Sequence, residues 1–421
     1  MRERRTKVVV VGQGYVGLPV ALRAAEAGYF VVGYDVDDTR VKRLSAGDSY
    51  IEDVSSEALV SAIDAGHYLP TSERRDLAGF DYAIITVPTP LREGLPDLSY
   101  IESACQTVSR YLRPSATVVL ESTTYPGTTE EVVGTLLEEG SGLEVGVDFH
   151  LGYSPERIDP GNPDWNLKNT PKVISGVNAE SLDAIRAFYS TIVDEVVAVS
   201  GTREAELTKL IENTFRHVNV ALVNELAMYA SELDTNIWEA IDAASTKPFG
   251  FMRFVPGPGV GGHCLPIDPS YLSWRVKQSL GHSFRFVELA NDVNDHMPDY
   301  VVGRIAAALN ARRKPLNGSR VLLLGLAYKR NTSDARESPS VRVARRLLAM
   351  GADVRAVDPY VSEPTEVDIP LVELTAEELE AADAAVLPSE PDAFDLGLVE
   401  AHAQFVLDTR ARLHGGQVER L

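Results

Sequence analysis

Three glycines, Gly12, Gly14 and Gly17, stand between a short apolar run and a stretch poor in β-branched residues, in KVVVVGQGYVGLPVALRAAEAGYFVVGYD. The run 7–11 reads as a buried strand, 18–27 as a helix and 29–35 as a second strand, which makes a βαβ unit. Gly12 permits the tight turn, Gly14 lets a pyrophosphate approach the backbone, and Gly17 lets helix and strand pack closely. The helix N-terminus then faces the phosphates. Asp35 ends the second strand, 21 residues after Gly14. A carboxylate there binds ribose hydroxyls and repels the 2′-phosphate of NADP, so NAD is the expected cofactor. Arg40 is a candidate for the adenine or ribose edge, with a plain surface arginine as the alternative. A Rossmann-shaped domain that has lost its ligand is the alternative for the whole unit.

Further apolar runs at 82–87, 117–121 and 145–149 extend the sheet, and 172–175 adds a strand. Helices are expected at 99–112 and 130–138, and the alternation argues a mainly parallel sheet over 1–200. The segment 204–232 has Leu207, Leu210, Ile211, Thr214, Val218, Leu222 and Leu226 at helical spacing and no internal Pro or Gly. It predicts one long helix, of the kind that joins domains or supports an interface. A shorter helix at 237–244 follows, then a loop rich in Gly and Pro. From Arg320 the α/β pattern restarts, with strands at 321–324 and 353–357 around a helix at 340–350. The acidic stretch 373–383 reads as a solvated helical face. The fold expected is α/β: two Rossmann-like domains, 1–200 and 311–421, joined by a helical and catalytic-loop segment, 201–310.

Composition removes other classes. The 421 residues are 44% hydrophobic, enough for more than one core. A formal charge of -21 repels nucleic acid and anionic membrane surfaces. No apolar run is long enough to span a bilayer. The basic residues 1–7 lead into an apolar stretch too short for a secretion signal. A cytoplasmic enzyme is expected, with no nucleic-acid or membrane partner. The two cysteines, Cys105 and Cys264, read as free thiols, and their number leaves no clustered-cysteine metal site.

The chemistry concentrates in PGPGVGGHCLPIDP, residues 256–269. Cys105, inside an expected helix, reads as a small buried hydrophobe. Cys264 follows Gly261 and Gly262, where unhindered backbone N–H groups could cradle a thiolate or an oxyanion. It is a candidate nucleophile, weighed against a tight structural loop. His263 points away from Cys264 if the segment is extended, so adjacency does not make it the base. Lys209 and Asn213 lie four apart on one face of the long helix. A cation and an amide there could converge on an oxygen developing charge, or the pair is a solvated face.

These segments, with VGQGYVGLPVA (11–21), VPTPL (87–91), ESTTYPGTTE (121–130), YSPERIDPGNP (153–163), KLIENTFRHVNVALVNE (209–225), GLAYKRNTSDARESPS (325–340) and DTR (408–410), occur in family order over almost the whole chain. The sequence resembles the UDP-glucose/GDP-mannose dehydrogenase family, and within it the branch acting on UDP-N-acetyl-glucosamine or UDP-N-acetyl-mannosamine. The resemblance implies a four-electron oxidation of a sugar C6 hydroxymethyl to a carboxylate, with two NAD+ reduced. It makes Cys264 the nucleophile that forms a thiohemiacetal and then a thioester. Lys209 resembles the oxyanion-stabilising lysine, with Asn213 its neighbour. Asp268 resembles the carboxylate that activates water, Thr123 the threonine beside that water, and Glu156 a base or water-orienting group.

For the cofactor, the resemblance adds Tyr15, Val16, Pro88, Thr89, Thr123, Glu156 and Arg336 to the glycines, Asp35 and Arg40. For the nucleotide sugar it implies Arg157, Lys209, Arg253, Gly261, His263, Lys329 and Arg410. Cations are expected there physically, since two phosphates must be held within a strongly acidic protein. No metal is implied, and a homodimer is, with a higher homo-oligomer left open. The chain departs from the family pattern at Ala335, where Thr is more usual, and in DTRAR for DTRN, which leaves uridine versus thymidine open; the sugar C2 substituent is equally open, so UDP- or dTDP-glucose stands beside the N-acetyl sugars. Two other classes stay open: a two-electron dehydrogenase or epimerase, giving one NADH or none per sugar, and a non-catalytic nucleotide-sugar sensor without turnover.

Overall fold

The computed structural model describes residues 5–421 apart from 52, 93, 160, 161, 163, 263, 264, 266 and 362–366. It contains two compact units, 1–212 and 213–421, and the boundary falls within the helix Thr202–Glu232. At 31 residues that helix is about 46 Å long.

The first unit carries β1 (Lys7–Val11), β2 (Phe30–Tyr34), β3 (Tyr68–Thr71), β4 (Tyr82–Ile85), the hairpin strands β5 (Leu91–Arg92) and β6 (Leu95–Pro96), β7 (Thr117–Leu120), β8 (His150–Tyr153), β9 (Lys172–Gly176) and β10 (Val196–Ala198). Apart from the hairpin they form one sheet in the order β10-β9-β8-β7-β4-β1-β2-β3. All neighbours are parallel except β8 and β9. Side chains of β1 alternate between two cores. Val8 and Val10 pack with Leu18, Val31 and Phe188, while Val9 and Val11 pack with Ile85, Ile101 and Leu120. A sheet buried on both faces needs such unbroken β-branched strands, which is why the sequence shows runs rather than alternation. The strand order reverses between β1 and β4, and ligands of open α/β sheets bind outside the carboxyl ends at such a point.

The run 145–149 is not a strand; β8 lies five residues further on. Gly146 takes φ +75°, and the Asp148 carboxylate accepts the Glu144 N–H at 2.9 Å. The apolar residues there sit on a turn, with Val147 exposed and only a single bridge joining Val145 to Phe149.

The second unit has a five-stranded sheet: β11 (Arg320–Leu324), β12 (Asp353–Val357), β13 (Ala384–Leu387), β14 (Val406–Asp408) and β15 (Val418–Arg420), in the order β12-β11-β13-β14-β15 and parallel throughout. Again β11 alternates, with Val321 and Leu323 in one core and Leu322 and Leu324 in the other. Both Rossmann-like sheets and the long helix expected from the sequence are therefore present. The acidic stretch is helical only over Ala376–Ala381 and is not wholly solvated, because Leu379 is buried. A 27-residue helix, Arg285–Ala311, runs through Pro298. Among the described residues no helix is long and apolar enough to cross a membrane.

Candidate active site

In the first unit the glycine turn closes on the end of β4. The Thr86 hydroxyl donates to the carbonyls of Val11 (2.9 Å) and Gly12 (2.8 Å). A Cβ on Gly17 would lie 1.8 Å from the Gly12 carbonyl oxygen, whereas one on Gly14 would meet nothing within 4 Å. Gly17 is thus required for packing, and open space lies over Gly14. The helix Gly17–Glu26 has no side-chain cap and no acidic residue in its first turn, so its N–H groups suit an anion. Tyr15 is exposed and Val16 half-buried at this opening, and Pro88 and Thr89 follow the carboxyl end of β4.

Asp35 is buried and held by two backbone donors, the N–H of Gln13 at 2.8 Å and of Asp37 at 2.9 Å. Each oxygen keeps lone-pair capacity for a ribose hydroxyl. Arg40 lies 3.5 Å from Asp35 and 3.6 Å from Asp37, which places it at the same edge. The residues present fit a dinucleotide: a pyrophosphate space at Gly14, an uncapped helix and a ribose acid.

Thr123 is half-buried between anchored neighbours. The Ser122 hydroxyl donates to the Val87 carbonyl at 2.7 Å, and that of Thr124 to Thr128 at 2.6 Å. Glu206, one helical turn before Lys209, accepts the N–H groups of Gly127 (2.6 Å) and Thr129 (2.8 Å) and the Thr129 hydroxyl (2.7 Å). This carboxylate fastens the Thr123 loop to the long helix.

Glu156 lies at the centre of a buried polar cluster. Its Oε1 accepts the N–H groups of Arg157 and Ile158, both at 2.6 Å, and its Oε2 lies 3.3 Å from Lys172 Nζ. Lys172 also reaches Glu121 Oε2 at 3.1 Å, and the Tyr189 hydroxyl donates to Glu121 Oε1. Lys209 Nζ donates to the main-chain carbonyl of Glu156 at 2.5 Å. Burial works against the charge of Glu156, but Lys172, the Ile158 N–H, Lys209 and the Arg157 N–H together hold its pKa below the ordinary value. Burial pushes Glu121 up. For Lys172 burial is outweighed by the two carboxylates, and its pKa stands above the usual lysine value. Arg157 turns to the Pro171 carbonyl and to Glu212, both at 2.7 Å.

In the second unit Asn213 Nδ2 donates to Asp268 Oδ2 at 2.5 Å, and Asp268 opens the helix Asp268–Leu280. Asn224, further along the long helix, accepts the Gly257 N–H at 2.9 Å and donates to Asn294 Oδ1 at 2.9 Å. His217 reaches Asn291 at 2.7 Å, and burial lowers its pKa. Pro298 has no N–H to give the Asn294 carbonyl, and that oxygen would lie 3.0 Å from a Cβ on Gly259. Cβ atoms on Gly261 or Gly262 would strike Tyr328 at 2.9 and 2.7 Å. The 256–262 loop is therefore glycine-rich because helix, proline and the Tyr328 ring crowd its backbone. His263 and Cys264 lie outside the described residues.

Arg410 packs beside this loop. Its Nη1 would be 2.9 Å from a Cβ on Gly257, and its Nε donates to the Pro388 carbonyl at 2.8 Å. Burial pulls its pKa below the usual value, with Glu390 and Asp408 opposing. Arg253 pairs with Asp242 at 2.8 Å, and Arg336, exposed, with Asp334 at 2.8 Å. Lys329 is half-buried on the 325–338 loop. Cys105 is buried, and burial pushes its thiol up to about 12. Among the described residues no group of His, Cys, Asp and Glu could hold a metal ion.

Sequence reading missed Gln13, Glu121, Lys172, Tyr189, Glu206, His217, Asn224 and Asn294. One visible signal was Lys172 within an otherwise buried strand, since an unpaired lysine is not tolerated there.

Models of three domains match in sequence order: the NAD binding domain over residues 6–193, the central domain over 203–296 and the UDP binding domain over 322–414, all of one family. The chain belongs to the UDP-glucose/GDP-mannose dehydrogenase family. It is 38% identical over 356 residues to the UDP-N-acetyl-D-mannosamine dehydrogenase of Pyrococcus horikoshii, covering 84% of each chain. It is 38% identical over 358 residues to the UDP-N-acetyl-D-glucosamine 6-dehydrogenase of Pseudomonas aeruginosa, covering 85% of this chain and 83% of that one. The solved structure of UDP-D-ManNAc dehydrogenase from P. horikoshii superposes with a TM-score of 0.89 at 33% identity, covering 99% of both chains. The chain stands with the UDP-N-acetyl-hexosamine branch. It is an NAD-dependent oxidoreductase acting on a nucleotide sugar.

Proposed function

We propose that this family member oxidises the C6 hydroxymethyl of a UDP-N-acetyl-hexosamine to the carboxylate in two two-electron steps, through a sulfur-linked intermediate on Cys264. What supports the finer reading is the pairing of Asp268, four residues beyond Cys264 in the chain, with Asn213 at 2.5 Å, in a protein similar to a UDP-N-acetyl-D-mannosamine dehydrogenase and a UDP-N-acetyl-D-glucosamine 6-dehydrogenase.

The chemistry follows from the residues. NAD, when bound by the Gly12–Gly17 turn and Asp35, supplies a two-electron acceptor at each of the two oxidation levels. An aldehyde has no hydride to give until a nucleophile makes it tetrahedral, and the Cys264 thiolate supplies that bond to C6. The adduct becomes a thioester at the second level. Water then breaks the C–S bond, releasing the carboxylate and returning the thiol. The sum is one alcohol, two NAD+ and one water giving one carboxylate, two NADH and three protons. Lys209 stabilises the negative oxygen on C6 in the adducts, worth roughly 10²–10³ in rate for one positioned cation. Asp268, oriented by Asn213, is the candidate to direct the hydrolytic water, and Thr123 is a further candidate for water handling. Arg410, Lys329, Arg253 and Arg157 are the candidate phosphate and sugar contacts, and Arg336 a candidate on the cofactor side.

The test counts NADH per sugar with UDP-glucose, dTDP-glucose, UDP-N-acetyl-glucosamine and UDP-N-acetyl-mannosamine. Two NADH per N-acetyl sugar is expected, and Cys264→Ser should abolish acid formation while NAD still binds. One NADH per sugar, or undiminished acid from Cys264→Ser, defeats the proposal.

A further inference from the structure

Glu121, Glu156, Lys172 and Tyr189 form a cluster sealed from solvent, with Lys172 and Glu121 almost wholly buried. A buried ion cluster is weak evidence of a stabilising role, because apolar side chains of similar volume often do as well or better in its place. The contacts run in one direction. Tyr189, at the end of the helix Ala179–Tyr189, donates to Glu121, and Glu121 and Glu156 grip Lys172 Nζ from two sides, at 3.1 and 3.3 Å. The Tyr189 ring lies under the ammonium, 5.5 Å from Nζ to its centroid. The second oxygen of Glu156 folds back on the N–H groups of residues 157 and 158. That turn leaves the Glu156 carbonyl as the acceptor for Lys209 Nζ at 2.5 Å. Counting charges, Glu121 and Glu156 balance Lys172 and Lys209.

We propose that Lys172 is a positioning residue for Lys209: it locks the Glu156 carboxylate into its own turn, and the turn in consequence presents the Glu156 carbonyl to the Lys209 ammonium. The proposal rests on the reading of Lys209 as the oxyanion-stabilising group. It also changes the part given to Glu156. Its Oε1 is taken up by two backbone N–H groups and its Oε2 faces the Lys172 ammonium, a setting that favours the ionised form over proton exchange near neutral pH. On this proposal Glu156 serves the reaction through its main-chain carbonyl, which Lys209 Nζ contacts.

The cluster suggests a charge-balanced variant, Glu121→Gln with Lys172→Met, which leaves Glu156 and Lys209 to neutralise each other. With UDP-N-acetyl-mannosamine and UDP-N-acetyl-glucosamine as probes, kcat should fall about 10- to 100-fold, the loss a displaced catalytic group brings, with KM little changed. The acid limb of the kcat–pH profile should move to higher pH, because Glu156 loses the cation that keeps it ionised. Lys172→Arg, which keeps the charge, should hold the limb in place and recover much of kcat. A folded double variant with kcat and acid limb as in the wild type overturns the proposal, and so does lower thermal stability with an unmoved limb. A measurement on the wild-type protein needs no variant to fold. In 13C-glutamate NMR, Glu156 should titrate below the ordinary carboxylate range, and a midpoint near neutrality overturns the proposal. Lys209→Met is measured alongside. If it leaves kcat intact, the reading of Lys209 falls and carries this inference with it; if it cripples kcat while the double variant does not, only the positioning role falls.

Discussion

Glu206 holds the 125–129 loop through three donors, and burial pushes its pKa up to about 7, with the Thr129 hydroxyl and two backbone N–H groups opposing. A carboxyl raised in the folded chain binds its proton more tightly there than in the unfolded one. Its contribution to stability is complete below the unfolded pKa and is lost as pH rises through about 7. A displacement of this size corresponds to about 3 kcal/mol. Urea denaturation should therefore show wild-type stability falling between pH 5 and 8 by about that much more than in Glu206→Gln; parallel curves for the two proteins refute it. Residues of this kind mark the limit of sequence reading. Asp35 was legible because its job depends on a glycine turn 20-odd residues away with only a helix between. Lys172 was not, because its two partners lie 51 and 16 residues off and meet it only once the sheet has formed.

At the level of elements, the glycines of the cofactor turn divide by what surrounds them. Gly14→Ala should fold with wild-type thermal stability, because its methyl meets no neighbour, yet bind NAD at least about tenfold more weakly, since that methyl occupies the space left for phosphate. Gly17→Ala should lose about 1–3 kcal/mol of stability, because its methyl meets the Gly12 carbonyl. Calorimetric titration with NAD and thermal melts of both variants check this; equal melting losses would show that the turn is not packed as described. The strands and the long helix were readable from runs and spacing. One failure has a local cause. The valines at 145 and 147 mimic a strand, but Gly146 at positive φ turns the chain between them. The helix Arg285–Ala311, for which the sequence reading gave no bounds within the helical segment 201–310, continues through Pro298, because a proline forfeits one bond and its neighbours supply the packing. The glycine-rich 256–262 loop was legible as unusual, whereas the Tyr328 ring that crowds it comes from a distant segment.

For the whole molecule, the long helix leaves Phe215, Leu222, Leu226 and Tyr229 exposed in the second unit, at spacings that share a face, with Leu233 exposed just past its end. An apolar stripe of this kind is the mark of an association surface. Analytical ultracentrifugation is expected to show a homodimer. Association should tighten with added salt, because each chain carries a formal charge of -21. Leu222→Asp with Leu226→Asp should give monomers. A wild-type protein that sediments as a monomer at micromolar concentration removes the dimer. The cytoplasmic setting expected from the sequence goes with the fold only so far as no described helix can span a membrane.

The silence of Cys105 has a practical consequence. With its thiol buried and pushed up to about 12, that sulfur stays protonated and shielded at any pH where iodoacetamide is used. The chain has only two cysteines, so carboxamidomethylation of the native enzyme, counted by mass, reads Cys264 alone: about one group per polypeptide is expected if it carries the thiolate proposed above, and none would refute that thiolate. The same count follows the proposed nucleophile with no substrate present.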